Sequence, residues 1–290
     1  DAIIIGAGQA GPSLAGRLTG SGMKVALIER KLFGGTCVNT GCMPTKTLVA
    51  SAYAARLARR ANDYGVVTES AIRIDMPRVK ARADKVSSNA RAGLRDWLDG
   101  MQGCKVIEGH AAFEAPHVLR VGDMRLTAPR IFLNVGGRAV RPAMPGIDEV
   151  RSLNNRSILE LDEVPRHLVI VGGSYIGLEF AQMYRRFGAA VTIVEKSPHL
   201  LGREDEDICV AIREILEAEG IVVRTSAECI RFAPHPRGIA VGVSCTSGAP
   251  EEIGSHVLLA VGREPNTHDL GLHKAGDATE ERGYIKVDDL

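Results

Sequence analysis

The stretch Ala2-Ile3-Ile4-Ile5-Gly6-Ala7-Gly8-Gln9-Ala10-Gly11 decides the fold. An apolar run leads directly into glycines at 6, 8 and 11, and Leu14, Ala15 and Leu18 then follow at helical spacing. The pattern predicts a buried strand, a glycine turn and a helix. A second apolar run, Lys24 to Ile28, ends in Glu29, which follows Gly6 by 23 residues. These are the proportions of a dinucleotide-binding βαβ unit. One glycine permits the tight turn, one lets the backbone approach a pyrophosphate, and one allows the helix to pack close to the strand. The helix N-terminus offers N–H groups and partial positive charge to phosphates, and the acid accepts a ribose hydroxyl.

Working outward, the same arrangement recurs. Leu168-Val169-Ile170-Val171 leads into Gly172-Gly173-Ser174-Tyr175-Ile176-Gly177, a helix through Glu179-Phe180-Ala181, and Val191 to Val194 ending in Glu195. Glu195 follows Gly172 by the same 23 residues. One such loop is weak evidence, whereas two with matching strands and acids predict that the chain binds two dinucleotides. Ser174 departs from the pattern by standing at the middle glycine, where a positive φ would strain serine.

Helical stretches are expected at about Thr45–Asn62 and Pro77–Asp99, followed by short strand-like runs at Cys104–Glu108 and Arg130–Val135. Pro142, Pro145-Gly146 and Asn154-Asn155-Arg156 punctuate the chain, so a domain boundary is expected near residue 150.

A 290-residue chain with 45% hydrophobic residues can form two domains, each with its own core. No run of 18 apolar residues predicts a membrane span, and a signal peptide is not evident, so a cytoplasmic location is the expectation. A net charge of +1 and 4% aromatic residues give no general reason to bind nucleic acid or an anionic membrane. The six cysteines, at 37, 42, 104, 209, 229 and 245, are too sparse for a secreted disulfide scaffold, and none forms a CxxC zinc pair. No metal site is expected.

Cys37 and Cys42 stand apart from the rest. Five residues of regular helix would separate them by about 7.5 Å of rise alone, beyond the usual span of a disulfide. Gly41 between them and Pro44 after them are expected to distort the backbone and let them meet. A thiol at a helix start beside Lys46 is expected to have a lowered pKa, suited to thiol exchange.

The run Gly34-Gly35-Thr36-Cys37-Val38-Asn39-Thr40-Gly41-Cys42-Met43-Pro44-Thr45-Lys46 resembles the active-site signature of the class I pyridine nucleotide–disulfide oxidoreductases, which include glutathione reductase, dihydrolipoamide dehydrogenase and mercuric reductase. The resemblance extends to Gly6–Gly11, to Gly172–Ala181 and to Gly262-Arg263-Glu264-Pro265-Asn266. The wording around the cysteines is nearest the mercuric-reductase-like and dihydrolipoamide-dehydrogenase-like branches.

That resemblance implies an α/β protein of two Rossmann-like three-layer domains. An FAD-binding domain would occupy 1–150, an NAD(P)-binding domain 151–265, and a returning FAD-domain segment 266–290. FAD would be held by Gly6, Gly8, Gly11, Glu29, Gly35, Thr36, Gly136 and Gly137, with Gly262 and Arg263 beside the flavin. The nicotinamide cofactor would be held by Gly172, Gly173, Gly177 and Glu195, and Tyr175 would gate its pocket. Glu195 favours NADH because a carboxylate repels a 2′-phosphate; Lys196 and the resemblance to NADPH-using enzymes keep NADPH open. Electrons would pass from NAD(P)H through FAD to the Cys37–Cys42 dithiol, with Cys42 against the flavin, Cys37 toward the substrate, and Lys46 paired with Glu179. The substrate would be a small disulfide, lipoamide or Hg(II).

The family's members run longer, with a C-terminal dimerisation domain that carries a His-Pro…Glu acid/base. His235-Pro236 is followed at the required distance by Ala240 and does not match it. The chain is therefore expected to be a fragment of a homodimeric parent. A nucleotide-binding fragment without turnover, and a flavin NAD(P)H oxidase or diaphorase, are the competing expectations.

Overall fold

A computed structural model describes residues 1–67, 69–244 and 250–288, so Cys245 lies outside the described residues. Along the chain run β1 (Ala2–Ile5), α1 (Ala10–Gly20), β2 (Val25–Glu29), α2 (Gly35–Thr40), α3 (Cys42–Arg59) and α4 (Met76–Asp99). Next come β3 (Cys104–Glu108), β4 (Ala111–Ala115), β5 (Val118–Val121), β6 (Met124–Thr127), β7 (Arg130–Leu133), β8 (Gly137–Ala139), β9 (Ser152–Leu153) and β10 (His167–Val171). The remainder is α5 (Tyr175–Phe187), β11 (Ala190–Val194), α6 (Glu206–Ala218), β12 (Val222–Arg224), β13 (Glu228–His235), β14 (Gly238–Ser244), β15 (Glu251–Gly254), β16 (His256–Leu259), β17 (Arg263–Pro265) and α7 (Leu272–Ala275).

These elements form two compact units, one of residues 1–44, 84–138 and 263–290, the other of 45–83 and 139–262. The breaks fall at 138/139 and 262/263, earlier than the expected 150 and 265. Residues 45–83 group with the second unit because Leu48, Ala52, Met76 and Ala83 are buried in its core with Leu168, Ile170, Phe180 and Met183. A helix follows the apolar surface that covers it, and a stripe buried on the second core decides the grouping.

The first unit is built on a parallel sheet of order β3-β2-β1-β7. Successive strand residues face opposite ways. Ala2 and Ile4 join Ala15, Leu27 and Leu98 on the face covered by α1 and the end of α4. Ile3 and Ile5 join Phe113, Leu119, Val121, Leu270 and Leu272 on the face covered by α7 and the antiparallel meander β4-β5-β6. The unit therefore has three layers.

The second unit repeats this plan on a parallel sheet of order β12-β11-β10-β16-β9. Leu168, Ile170, Ile193 and Leu258 pack with residues of α3, α5 and α6, and Val169, Val171, Val257 and Leu259 pack under the meander β13-β14-β15. The repeat seen in the sequence as two glycine loops thus extends to whole three-layer units. Among the described residues, no helix is long and apolar enough to cross a membrane.

Candidate functional sites

In the first unit, β1 runs into Gly6 at φ +107°. A side chain there would place Cβ 2.3 Å from the carbonyl oxygen of Asn134, and one at Gly11 would place it 2.0 Å from that of Gly6. Only glycine permits either approach, which is the close helix-on-strand packing expected. Gly8 differs, since the nearest atom to a Cβ built on it is the α-carbon of Gly35 at 3.9 Å. Its face is open where a pyrophosphate would lie. At the end of β2 the Glu29 carboxylate turns back on the loop, accepting hydrogen bonds from the Ala7 N–H (2.9 Å) and the Lys31 N–H (2.8 Å).

The dithiol segment sits on this loop. The Gly34 N–H donates to the Ala7 carbonyl at 2.8 Å, and Gly34 and Gly35 take φ +91° and +58°. A Cβ at Gly35 would lie 2.8 Å from the Gly8 α-carbon, so the two glycines face each other as bare backbone. Cys37 follows on the six-residue α2, which stops at Gly41 (φ −146°, ψ −117°), and Cys42 opens α3. The break falls where the spacing demanded one.

Cys37 is half-buried, Cys42 is exposed, and both are unpaired thiols. Burial, then hydrogen bonding and charge repulsion from Cys42, push the Cys37 thiol up to about 11. Desolvation and a neighbouring sulfur thus stabilise the neutral form of Cys37, whereas the thiol that stands at a helix start beside Lys46 is Cys42, which opens α3.

Arg263 completes this cluster. Its Nη2 donates to the Gly137 carbonyl at 2.8 Å and reaches Thr36 Oγ1 at 3.5 Å. Gly136 is left-handed (φ +64°) with open space where a side chain would go. The first unit thus gathers the first glycine loop, Glu29, Gly35, Thr36, both cysteines, Gly137 and Arg263.

In the second unit, Gly172 (φ +114°) faces the Ala260 carbonyl, 2.4 Å from a built Cβ, and Gly177 faces that of Gly172 at 2.1 Å. Glu195 accepts from the Gly173 N–H at 2.5 Å and the Ser197 N–H at 2.7 Å. Ser174 is extended (φ −98°, ψ 176°), so the anticipated strain is absent: the middle position of the loop does not take positive φ, and serine fits it. Tyr175 opens α5 and is 63% exposed. Lys46 on α3 and Glu179 on α5 form an ion pair. Gly262 (φ +137°) closes the loop after β16 and accepts from the Val140 N–H at 3.1 Å.

Two groups went unread in the sequence. Asn134 lies directly after β7 and its buried Nδ2 has no hydrogen-bond partner; the nearby glycines were the available signal. Leu201, left-handed at φ 54°, donates its N–H to the Gly173 carbonyl at 3.0 Å, and nothing in an apolar pair such as Leu200-Leu201 marks such a role. Among the described residues, no group of three or more His, Cys, Asp or Glu is placed to hold a metal ion.

The profile of the family described as pyridine nucleotide-disulphide oxidoreductase matches residues 1–290. The chain is 37% identical over 294 residues to a probable pyridine nucleotide-disulfide oxidoreductase, RclA, of Escherichia coli K12, covering 99% of this chain and 62% of the relative. It is 33% identical to a mercuric reductase of Streptomyces lividans, covering 100% and 62%. The solved structure of the HOCl-induced flavoprotein disulfide reductase RclA from Escherichia coli superposes with a TM-score of 0.86 at 36% identity, again covering 99% and 62%. The chain therefore spans about three fifths of the length of these relatives.

Proposed function

Because this chain belongs to the pyridine nucleotide-disulphide oxidoreductase family, we propose that it carries FAD on the first unit, a nicotinamide cofactor on the second, and electrons on the Cys37–Cys42 dithiol. The observation that carries this reading is the dithiol segment itself: Cys37 on α2 and Cys42 opening α3 flank the helix break at Gly41, on a stretch docked against a glycine loop, and Cys42 is close enough to raise the Cys37 pKa. An open face at Gly8, the bare backbone of Gly35 and the anchored carboxylate of Glu29 suit a dinucleotide. Gly6, Gly8, Gly11, Glu29, Gly35, Thr36, Gly136, Gly137 and Arg263 would hold FAD, which when bound supplies two-electron chemistry between the nicotinamide and the disulfide.

The residues' own part is thiol exchange. Cys37, a thiol at neutral pH, loses its proton to solvent and attacks one sulfur of a substrate disulfide; the substrate S–S bond breaks and the second sulfur leaves as a thiolate that takes up a proton from solvent. The Cys42 sulfur then attacks Cys37, expelling the remaining substrate thiolate and leaving the Cys37–Cys42 disulfide to be reduced again. A soft metal ion such as Hg(II) would be held by the same two sulfurs. The exposed flank of Cys42 is what a bound flavin ring would cover. Small disulfides, lipoamide and Hg(II) are the proposed substrate classes, and the mercuric reductase relative makes Hg(II) a concrete candidate.

Glu195 supports NADH over NADPH. Its two oxygens are fixed by separate N–H groups, so its charge stands at the tip of β11 and would repel a 2′-phosphate. Lys46 and Glu179 would set the charge near the reacting end of the nicotinamide, with Tyr175 at the mouth of its pocket.

The test is an anaerobic titration of the purified chain with NADH, and separately with NADPH, followed by absorption. The expected outcome is a flavin spectrum that develops a long-wavelength band with NADH at lower concentration than with NADPH, and no such band in Cys42→Ser. A colourless protein, or a band that survives Cys42→Ser, overturns the reading.

A further inference from the structure

Asn39 lies inside the dithiol segment, and the proposed chemistry gives it nothing to do. Its side chain is nevertheless engaged at both ends. Nδ2 donates to the carbonyls of Phe33 (2.8 Å) and Gly35 (2.9 Å), and Oδ1 accepts from Arg91 Nη1 at 3.1 Å. The two carbonyls it holds bracket the left-handed pair Gly34-Gly35, the part of the backbone that also bonds Ala7 and faces Gly8. Glycine has the most conformational freedom to lose, so two successive left-handed glycines stay in one conformation only if neighbours hold them. Asn39 supplies that hold from two residues beyond Cys37. Arg91 and Arg95 lie one turn apart on α4; Arg95 stacks over the Phe33 ring, 4.9 Å from its centroid, and is tied to Asp99 and Glu108. One helix therefore grips the Phe33–Asn39 segment at two points.

We propose that Asn39, held by Arg91, is a positioning residue that fixes Cys37 against Cys42 and against the first glycine loop; this rests on the dithiol reading above. A residue serving only to stabilise α2 would not need a guanidinium from α4 on its acceptor. Without the grip, α2 can swing, Cys37 gains solvent, and the cysteines lose their fixed separation. The loss of burial then moves Cys37 from about 11 toward the ordinary thiol range. Thiolate content at pH 8 rises roughly a hundredfold for a two-unit fall, and the weaker nucleophilicity of the less basic thiolate leaves a net gain of about tenfold.

The experiment uses the full 290-residue chain and two readouts that do not depend on a bound cofactor. One is the pH profile of Cys37 alkylation by iodoacetamide, resolved by mass spectrometry of its peptide. The other is the fraction of Cys37–Cys42 disulfide across a series of glutathione redox buffers. Asn39→Ala is expected to raise Cys37 alkylation at pH 8 about tenfold, to move its midpoint to lower pH, and to shift the glutathione midpoint about tenfold toward the dithiol. Arg91→Met should move both readouts in the same direction by about threefold, and Arg91→Lys should restore most of the wild-type behaviour. Variants that fold by circular dichroism and keep both wild-type midpoints overturn the proposal; if Asn39→Ala does not fold, Arg91→Met decides by the same criterion. A wild-type chain that forms no Cys37–Cys42 disulfide overturns the dithiol reading instead, and the alkylation profiles still decide whether Asn39 holds Cys37.

Discussion

The two units answer the same structural problem with different residues. In each, the first glycine of the loop faces a carbonyl just after a parallel strand, that of Asn134 after β7 or Ala260 after β16. In each, an acid at the end of the second strand takes the N–H of the following residue, Ala7 or Gly173. The carbonyl of that residue accepts in turn from the next loop, from Gly34 in one unit and Leu201 in the other. There the units part. In the first, the loop over the glycines is bare backbone and leads into the dithiol helix; in the second it is Leu200 and Leu201, whose buried and strained residues lead into the plain helix α6. The shared parts fit what two dinucleotides have in common, and the divergent loop is where the redox chemistry is proposed to have been added to one of them.

The largest expected effect tests whether the shared frame is mechanically the same. Gly11→Ala and Gly177→Ala each drive a methyl group to about 2 Å from a backbone carbonyl that cannot move without displacing its strand. Each should cost about 3 kcal/mol, at the upper end of overpacking. Trp97, the sole tryptophan, packs across Gly16 in the first unit, so its fluorescence reports that unit while circular dichroism reports both. In a denaturant titration Gly11→Ala should move the fluorescence transition, and Gly177→Ala only the dichroism transition. Losses differing by more than about 1 kcal/mol would break the equivalence.

A smaller effect sharpens the difference at the middle position. The space at Gly8 and the extended backbone at Ser174 mean that Gly8→Ser and Ser174→Gly should each fold with stability changed by roughly 0.5 kcal/mol or less. Gly8→Ser would nevertheless put a hydroxyl on the open face proposed for the FAD pyrophosphate. Retained flavin, read from the absorbance ratio of the purified protein, should fall severalfold for Gly8→Ser and stay unchanged for Ser174→Gly. Full flavin in Gly8→Ser would show that the open face is not the phosphate path.

Much of this was legible in the sequence, for physical reasons that also mark where legibility stops. Short apolar runs entering glycines, with an acid at fixed distance, announce themselves because the backbone contacts at Gly6, Gly11, Gly172 and Gly177 tolerate nothing else. The break at Gly41 followed from the rise of a helix. The meanders were harder: β13 and β14 carry Pro234 and Gly242 within their spans and blur the period of two. The direction of the Cys37 shift depends on how much of it the fold buries, which local spacing does not encode. Asn39 was in plain view within the signature, yet its partners Phe33 and Arg91 meet it only after α4 has packed.

The smallest effect separates the units by acid. His256 begins β16 and pairs in register with Leu168; the matching position in β7 is Arg130, paired with Ala2. Burial holds the His256 pKa below its ordinary 6.5, Glu163 at 3.9 Å pulls it up, and Arg151 pushes it down. Its neutral form is therefore the one the folded unit prefers. Stability from that preference is complete above about 6.5, declines as pH falls toward the depressed value because the unfolded chain takes up the proton first, and levels off below it. Lowering pH from 7.5 to 5.5 should thus move the dichroism transition of the second unit to lower denaturant, and His256→Asn, which has nothing to titrate, should remove that part of the shift while leaving the Trp97 transition as it was. An acid shift of equal size in the variant would assign the sensitivity to other groups and leave the two units alike in this respect.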